Sequence, residues 1–250
     1  FLRAVMNPKL ERVLKILGLI AVLTILASAI VGGWFYSQLA GSLPQVDGEI
    51  VIEGISAPVS IKRDALGVPR IEAENRIDLA FATGFAHAQD RFFQMDLLRR
   101  NSAGELSELV GPAAVNHDKE MRLHRFRDRA KAMAESYDEE QIALLQAYTD
   151  GVNAGLNSLS VKPPEYLFMV LDAEPAPWQI EDSALMLFSM YLDLQWGDFK
   201  QECRYGVMRD TLPEELVDFL IPPGSKWDAP VEGDALPAPT YPGPDIVNLR

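Results

Sequence analysis

The three histidines are the residues of this chain whose chemistry could first suggest catalysis or metal binding. His117 and His124 lie seven residues apart, which is two helical turns, so they could share one face of a helix. No third ligand follows at helical spacing, whereas zinc sites need three or four protein ligands. We therefore expect both to be solvated surface side chains. His87 lies within an apolar helical segment, where we expect a neighbouring group to satisfy its ring nitrogens.

Other signatures of catalysis are missing from the sequence. There is no Walker A loop, and no GxGxxG, HExxH or GxSxG motif. The one cysteine, Cys203, excludes an intramolecular disulfide framework and any CxxC site. Spacing alone nominates no pair of nucleophile and base, so these residues do not by themselves name a reaction.

A long helix predicted over residues 76–100 contains charged side chains among aromatic ones. Asn75 is placed to cap it, and apolar residues fall on two stripes, which indicates a central and mostly buried helix. Asp90 and Arg91 would then be buried, and buried charges need partners. We expect both to be paired and to hold the scaffold together rather than to act on a substrate.

The elements around this helix follow from periodicity and turn chemistry. Residues 58–62 and 68–73 alternate apolar and polar side chains around a turn at 64–67, which predicts a hairpin. Residues 49–52 alternate weakly and predict a further strand. Helices are predicted over 102–110, 113–135, 139–159, 184–194 and 213–220, with an extended connector at 174–178.

An uncharged segment at 16–36 follows a basic leader at 1–15. Its 21 residues are enough to span a bilayer, and the preceding basic residues predict a cytoplasmic N-terminus with the remainder exported. We expect an uncleaved membrane anchor, with a signal peptide as the alternative. The exported part divides into a region at 46–220 and a proline-rich extended segment at 221–250.

The formal net charge of −13 conceals a difference between the two ends. Residues 1–45 carry four basic and one acidic side chain, which leaves −16 on residues 46–250. Because phosphate binding needs a basic surface, this balance argues against nucleic acid as a partner.

Several ordered segments resemble the penicillin acylase (penicillin amidase) family of N-terminal-nucleophile hydrolases. Residues 58–71 resemble the opening hairpin of the family's smaller α subunit. The most specific similarity is in 84–100, GFAHAQDRFFQMDLLRR, followed by 103–111, AGELSELVG. Further matches are 145–155, LQAYTDGVNAG, and the connector 177–183.

This resemblance implies a fold and a chemistry. The fold would be α+β, with this chain the mainly helical α-subunit part of an Ntn-hydrolase αββα four-layer fold, preceded by a transmembrane or signal helix. Family members are made as one exported precursor that cuts itself into α and β chains. The N-terminal serine of the β chain is the nucleophile and its own α-amine the base, so no catalytic residue is expected in this chain. The start on Phe1 and the proline-rich end agree with a fragment of such a precursor.

Two contributions of the α subunit carry over to residues of this chain. The resemblance implies a structural calcium between the subunits, with Glu202 as a carboxylate ligand and Asp198 as a weaker candidate; a solvated or Arg204-paired glutamate is the alternative. It also implies that Met190, Leu194 and Trp196 contact the acyl group of the substrate, with plain core residues as the alternative. Leu194 would suit a flexible aliphatic chain.

The expected function is therefore part of an amidohydrolase that cleaves the acyl amide of β-lactam side chains or N-acyl-homoserine lactones. Its partners would be a β subunit from the same precursor, a small acyl amide and, through residues 16–36, the membrane. The protein would be periplasmic or otherwise extracytoplasmic, anchored or secreted. The alternatives are a non-catalytic, membrane-anchored binding or assembly module that retains the α scaffold, and a histidine-based metalloenzyme.

Overall fold

A computed structural model describes residues 8–170, 173–225 and 227–248. Its elements are, in chain order, α1 (Pro8–Gly41), β1 (Ser60–Arg63), β2 (Pro69–Glu72), α2 (Arg76–Ala103), α3 (Ser107–Val110), a 3₁₀ turn (Gly111–Ala114), α4 (Val115–Arg122), α5 (Phe126–Glu135), α6 (Glu139–Asn157), a second 3₁₀ turn (Pro164–Phe168), α7 (Asp182–Thr211) and α8 (Glu214–Leu220). The prediction of a mainly helical chain behind an apolar N-terminal helix is confirmed.

The chain divides into two compact units, Phe1–Ser189 and Met190–Arg250. The first unit contains α1 to α6, the hairpin and the first turns of α7. The second contains the rest of α7, α8 and the proline-rich segment, in which no helix or strand occurs among the described residues 221–225 and 227–248. The domain boundaries inferred from the sequence stay a prediction.

α1 is long and apolar enough to cross a membrane over Glu11–Gly41, with a mean hydropathy of 2.5. None of that window is buried against the rest of the chain, unlike the core helix of a soluble protein. Most of its apolar side chains are exposed on all sides of the helix, as the uncharged segment at 16–36 predicts.

The hairpin forms where alternation predicts it. β1 and β2 are antiparallel, with Ile61 opposite Ile71. The Asp64 carboxylate accepts the backbone N–H groups of Leu66 and Val68 at 2.8 and 2.9 Å, and Gly67 has a φ of +79°, which glycine adopts without strain. The prediction of a strand at 49–52 was wrong, because this segment pairs with no other strand among the described residues.

α2 is the central helix of the first unit. Asn75 caps it by accepting the Asp78 N–H at 2.8 Å, and the side chains of Phe81, Phe85, Phe92 and Met95 are buried. It crosses α6 very closely, because a Cβ added at Gly151 would lie 1.9 Å from a carbonyl oxygen of α2. Glycine is therefore required there by the approach of two backbones.

Three predicted helices have different bounds in the structure. The one predicted over 113–135 is broken into α4 and α5, because Arg125 adopts a left-handed conformation with φ +54°. The one predicted over 102–110 begins only at Ser107, since α2 continues to Ala103 and ends on the left-handed Gly104. α7 begins at Asp182 and continues to Thr211, well beyond the predicted end at 194.

Candidate functional site

The residues predicted to contact substrate lie on α7, in the second unit. Met190 and Leu194 are one helical turn apart, and their side chains are 60% and 67% exposed. Within this chain they are therefore not covered by other described side chains, and their contact with the acyl group stays a prediction. Trp196 belongs to the same helix, but its side chain lies outside the described part of the structure.

Glu202, the predicted calcium ligand, is exposed in the C-terminal half of α7. The carboxylate of Asp198 lies one turn earlier on the same helix and is also exposed. Across the described residues there is no group of three or more Asp, Glu, His or Cys side chains that could hold a metal. Calcium takes six to eight oxygen ligands, so Glu202 fits only as one contributor to a site completed by another chain.

The start of α7 is held by buried charged groups in the first unit. Asp182, its first residue, is 1% exposed. One carboxylate oxygen accepts the Gln179 N–H at 2.8 Å and a hydrogen bond from Arg99, and the other faces Arg127 at 3.2 Å. The connector and the first turn of α7 are therefore fixed to α2 and α5 through a single carboxylate.

Arg99 is the centre of this buried network. Its guanidinium donates to Asp96 at 2.7 Å, to Asp182, and to the backbone carbonyls of Pro177 and Ala176 at 3.0 and 2.5 Å. It also lies over the Trp178 ring, 4.9 Å from the ring centroid. Because all the donors of this guanidinium are directed at fixed acceptors, Arg99 holds those groups in defined positions, which the single ammonium group of Lys could not do.

Asp96 joins the network to the core. It is fully buried and accepts hydrogen bonds from Arg99, from Arg100 at 2.9 Å and from the Tyr166 hydroxyl at 2.5 Å. Burial, reinforced by the Asp96 charge, raises the pKa of Tyr166, so this phenol stays protonated and donates. Arg100 also pairs with Glu108.

The prediction that Asp90 and Arg91 are the buried charges of α2 was wrong. Both are exposed, and α2 departs from helical geometry at Arg91, with φ −145° and ψ 20°. The expected pairing of Asp90 is confirmed, since Arg63 of the hairpin donates to both of its oxygens at 2.8 Å. The charges that α2 does bury are Asp78 at its start and, beyond the kink, Asp96, Arg99 and Arg100. The signal for the second group in the sequence was Asp96 preceding Arg99 and Arg100 at helical i+3 and i+4 spacing.

The histidines have partners but form no site. The residue His87 as a whole is exposed, but its imidazole ring packs against the ring of Tyr148, and its Nδ1 lies 3.0 Å from the Tyr148 hydroxyl. The expected neighbouring partner of His87 is thereby confirmed. Partial burial lowers the pKa of His87 against the opposing effect of Asp90, and burial raises the pKa of Tyr148 to about 12. His117 contacts Asn101 at 2.8 Å, while His124 lies beyond the end of α4 and stacks on Phe126, so the two do not share a helix.

A cleft of about 620 Å³ lies in the first unit between residues 45–63 and α2, and its lining is mainly apolar. Ser56 is a hydroxyl in that lining, but it donates to Asp78 at 2.8 Å as part of the α2 cap. The Ser56 N–H also donates to Asp78 and lowers the pKa of that carboxyl. Ser56 therefore serves the helix start, and no base activates it as a nucleophile.

A comparison with known protein families shows to which family this chain belongs. The family model described as penicillin amidase matches residues 58–233, which include the hairpin, α2, the connector and α7. The chain belongs to the penicillin amidase family. The resemblance inferred from the sequence is thereby confirmed.

Curated proteins that are similar to this chain are named as acylases. It is 40% identical over 141 residues to penicillin acylase 2 proenzyme of Pseudomonas sp. (strain SE83), covering 56% of this chain and 18% of that protein. It is 36% identical over 176 residues to acyl-homoserine lactone acylase QuiP of Pseudomonas aeruginosa, covering 69% and 21%. The chain thus spans about a fifth of the length of these relatives.

A solved family structure has the same fold. The chain is similar to a thermostable penicillin G acylase from Alcaligenes faecalis, with a TM-score of 0.59 and 27% identity, over 73% of this chain and 98% of the matched one. The fold-class prediction, the mainly helical part of an Ntn-hydrolase fold, is confirmed by this match. The buried Asp96–Arg99–Asp182 network is the part of this scaffold that sequence reasoning missed.

Proposed function

We propose that this chain is the α-subunit part of an exported amidohydrolase that cleaves the acyl amide of N-acyl compounds. The observation that carries the proposal is the family match over 58–233, together with relatives named as penicillin acylases and acyl-homoserine lactone acylases. One of these relatives is named a proenzyme, which supports a precursor that is processed.

In this proposal the nucleophile lies on a second chain cut from the same precursor. Its N-terminal serine hydroxyl attacks the amide carbonyl while its own α-amine, whose unperturbed pKa is about 8, takes the hydroxyl proton. The C–N bond breaks as that proton passes to the leaving amine, and water then hydrolyses the acyl-enzyme ester.

This chain contributes the apolar wall against which the acyl group lies. Met190 and Leu194 present adjacent, exposed apolar side chains on α7, and Trp196 follows on the same helix. Acyl groups bind to apolar walls, and flexible aliphatic side chains at the wall suit an alkyl chain. We propose N-acyl-homoserine lactones and β-lactam side chains as the substrate classes.

Glu202 is proposed as this chain's ligand to a structural calcium ion shared with the β chain. Its exposed carboxylate supports a ligand role at a subunit contact. Bound calcium would supply a fixed positive charge that holds carboxylates of both chains together. Residues 16–36 anchor the protein in the membrane after export, or direct that export as a signal.

The function is tested by expressing the full precursor and following its processing and its hydrolysis of an N-acyl-homoserine lactone and a phenylacetyl β-lactam. We expect two chains on a denaturing gel and release of a free amine from at least one substrate. An uncleaved product without hydrolysis of either compound would contradict the proposal and favour the binding-module alternative.

The calcium site is tested by a Glu202→Gln variant of the processed enzyme, with Glu214→Gln on α8 as an exposed control. We expect chelation by EGTA to lower the melting temperature of the parent and of the control. The Glu202→Gln variant should start from the lower value and respond little to EGTA, because one charged ligand is lost. Equal responses in all three proteins would contradict the assignment.

A further inference from the structure

The apolar helix α1 contacts the body of the first unit near its C-terminal end. The rings of Phe35 and Phe168 lie 6.2 Å apart between centroids, at an interplanar angle of 58°. Two turns further along, the Gly41 carbonyl accepts the Val161 N–H at 3.3 Å. A Cβ at Gly41 would come within 3.1 Å of the Val161 side chain, so the two backbones approach closely.

The position of this contact along α1 sets its depth in a membrane. The uncharged stretch 16–36 is about 31 Å long at 1.5 Å per residue, which is the thickness of the hydrocarbon core. It ends on Trp34, Phe35 and Tyr36, and tryptophan and tyrosine are enriched at the boundary between lipid and water. Phe35 therefore lies at the outer boundary when α1 spans the bilayer, and Phe168 lies at the same level.

Exposed apolar side chains occur both at Phe168 and at the end of α1. Phe168 ends the 3₁₀ turn Pro164–Phe168 and is 70% exposed although it touches Phe35. Leu39 and Leu43, beside the end of α1, are 44% and 70% exposed. The nearby ammonium of Lys162 is occupied by Glu174 at 2.6 Å and by the Ala173 carbonyl.

We propose that this aromatic corner, formed by Trp34–Tyr36 of α1 and Phe168 of the 3₁₀ turn, inserts into the outer interface of the lipid bilayer. The proposal rests on the membrane anchor put forward above. Its occupant is lipid, because the corner continues the aromatic end of a helix of membrane-spanning length and because Phe168 is an exposed ring with no further cover among the described residues. The first unit would then be held at the membrane surface by two elements instead of one.

The test attaches the environment-sensitive fluorophore NBD to single cysteines in the full chain, in a Cys203→Ser background. Leu23→Cys lies in the middle of α1, Phe168→Cys in the aromatic corner, and Leu66→Cys at the exposed hairpin turn serves as the control. Each protein is reconstituted in phosphatidylcholine–phosphatidylglycerol vesicles that contain doxyl-labelled lipid at a shallow or a deep acyl position. Circular dichroism checks that each labelled variant keeps its helix content.

We expect the label at position 23 to be quenched best by the deep doxyl lipid, and the label at 168 by the shallow one. Quenching at 168 should exceed that at 66 by at least about twofold, because interfacial aromatic positions lie at headgroup depth. If position 23 is quenched while 168 behaves like 66, the corner does not touch lipid and the inference is wrong, although the anchor stands. If position 23 is not quenched, the anchor itself fails and the inference fails with it, whereas the acylase proposal is unaffected.

Discussion

Replacing Arg99 by Met removes the centre of the buried network while keeping a side chain of similar length. The Arg99 side chain is 4% exposed, and its partners Asp96 and Asp182 are 0% and 1% exposed. The variant leaves two buried carboxylates without their main cation and two carbonyls without a donor. Breaking a buried pair in this way costs about 3–5 kcal/mol of unfolding free energy.

The measurement is urea unfolding of the detergent-solubilised chain, followed by circular dichroism. For an m-value of about 2 kcal/mol/M, a loss of ~4 kcal/mol lowers the midpoint by about 2 M. The matched control is Arg125→Met, which removes an ion pair to Asp128 whose side chains are 73% and 62% exposed. Exposed pairs contribute less than about 1 kcal/mol, so its midpoint should move by less than about 0.5 M.

Two further variants separate the role of charge from that of geometry. Arg99→Lys keeps the charge but cannot reach Asp96, Asp182 and two carbonyls together, so it should recover only part of the loss. Adding Asp182→Asn to Arg99→Met removes one of the orphaned charges, and the double variant should be less unstable than the sum of the single ones. Equal midpoint shifts for Arg99→Met and Arg125→Met would refute the reasoning.

Two other outcomes follow from the packing and the charges. Gly151→Ala should lower the unfolding free energy by about 2 kcal/mol or more, because α2 and α6 must separate to accommodate the added Cβ. The control is Gly206→Ala, where a Cβ meets nothing within 4 Å. It should be neutral or slightly stabilising in the same urea titration. His87 has a lowered pKa in the folded chain, so the unfolded state binds more protons and stability should fall as the pH drops below about 6.5. A His87→Gln variant should show a weaker decline in urea midpoint between pH 7.5 and 5, and an unchanged pH profile would contradict the shift.

Local signals predicted the elements whose ends are fixed by their own side chains. Asn75 forms the cap expected of it before α2, Asp138 caps α6 at the start predicted for that helix, and the turn around Gly67 closes the hairpin. In each case the deciding hydrogen bond joins residues two to four positions apart. Such contacts join residues that are close together in the sequence and need no tertiary partner, so the sequence predicts them.

The failures occurred where a distant contact decided the local structure. The predicted helix over 113–135 breaks at Arg125, and Phe126 turns into the core, where it is 8% exposed and stacks on Phe188 at 4.7 Å. The sequence placed the buried charges at Asp90 and Arg91, which are exposed and lie where α2 departs from helical geometry. The acceptors of Arg99 in the connector lie almost 80 residues further along the chain, beyond the reach of any periodicity.

The candidate site depended on family resemblance more than on pattern. Met190, Leu194 and Glu202 stand out in no local motif, and the structure adds only that they are exposed on one helix. A binding site shared between two chains is hard to recognise in the sequence of one of them, because the other chain supplies part of its ligands and contacts. Their roles in binding acyl group and calcium remain predictions.

The most direct measurement of the central claim is the location of the acyl group during turnover. The processed enzyme would be mixed with a slowly hydrolysed acyl amide, quenched in acid within the first turnover, and both chains weighed by mass spectrometry. We predict one added acyl mass on the partner chain, at its N-terminal serine, and none on this chain. An acyl adduct on a residue of this chain, or hydrolysis by this chain alone, would contradict the proposal that the nucleophile lies outside it.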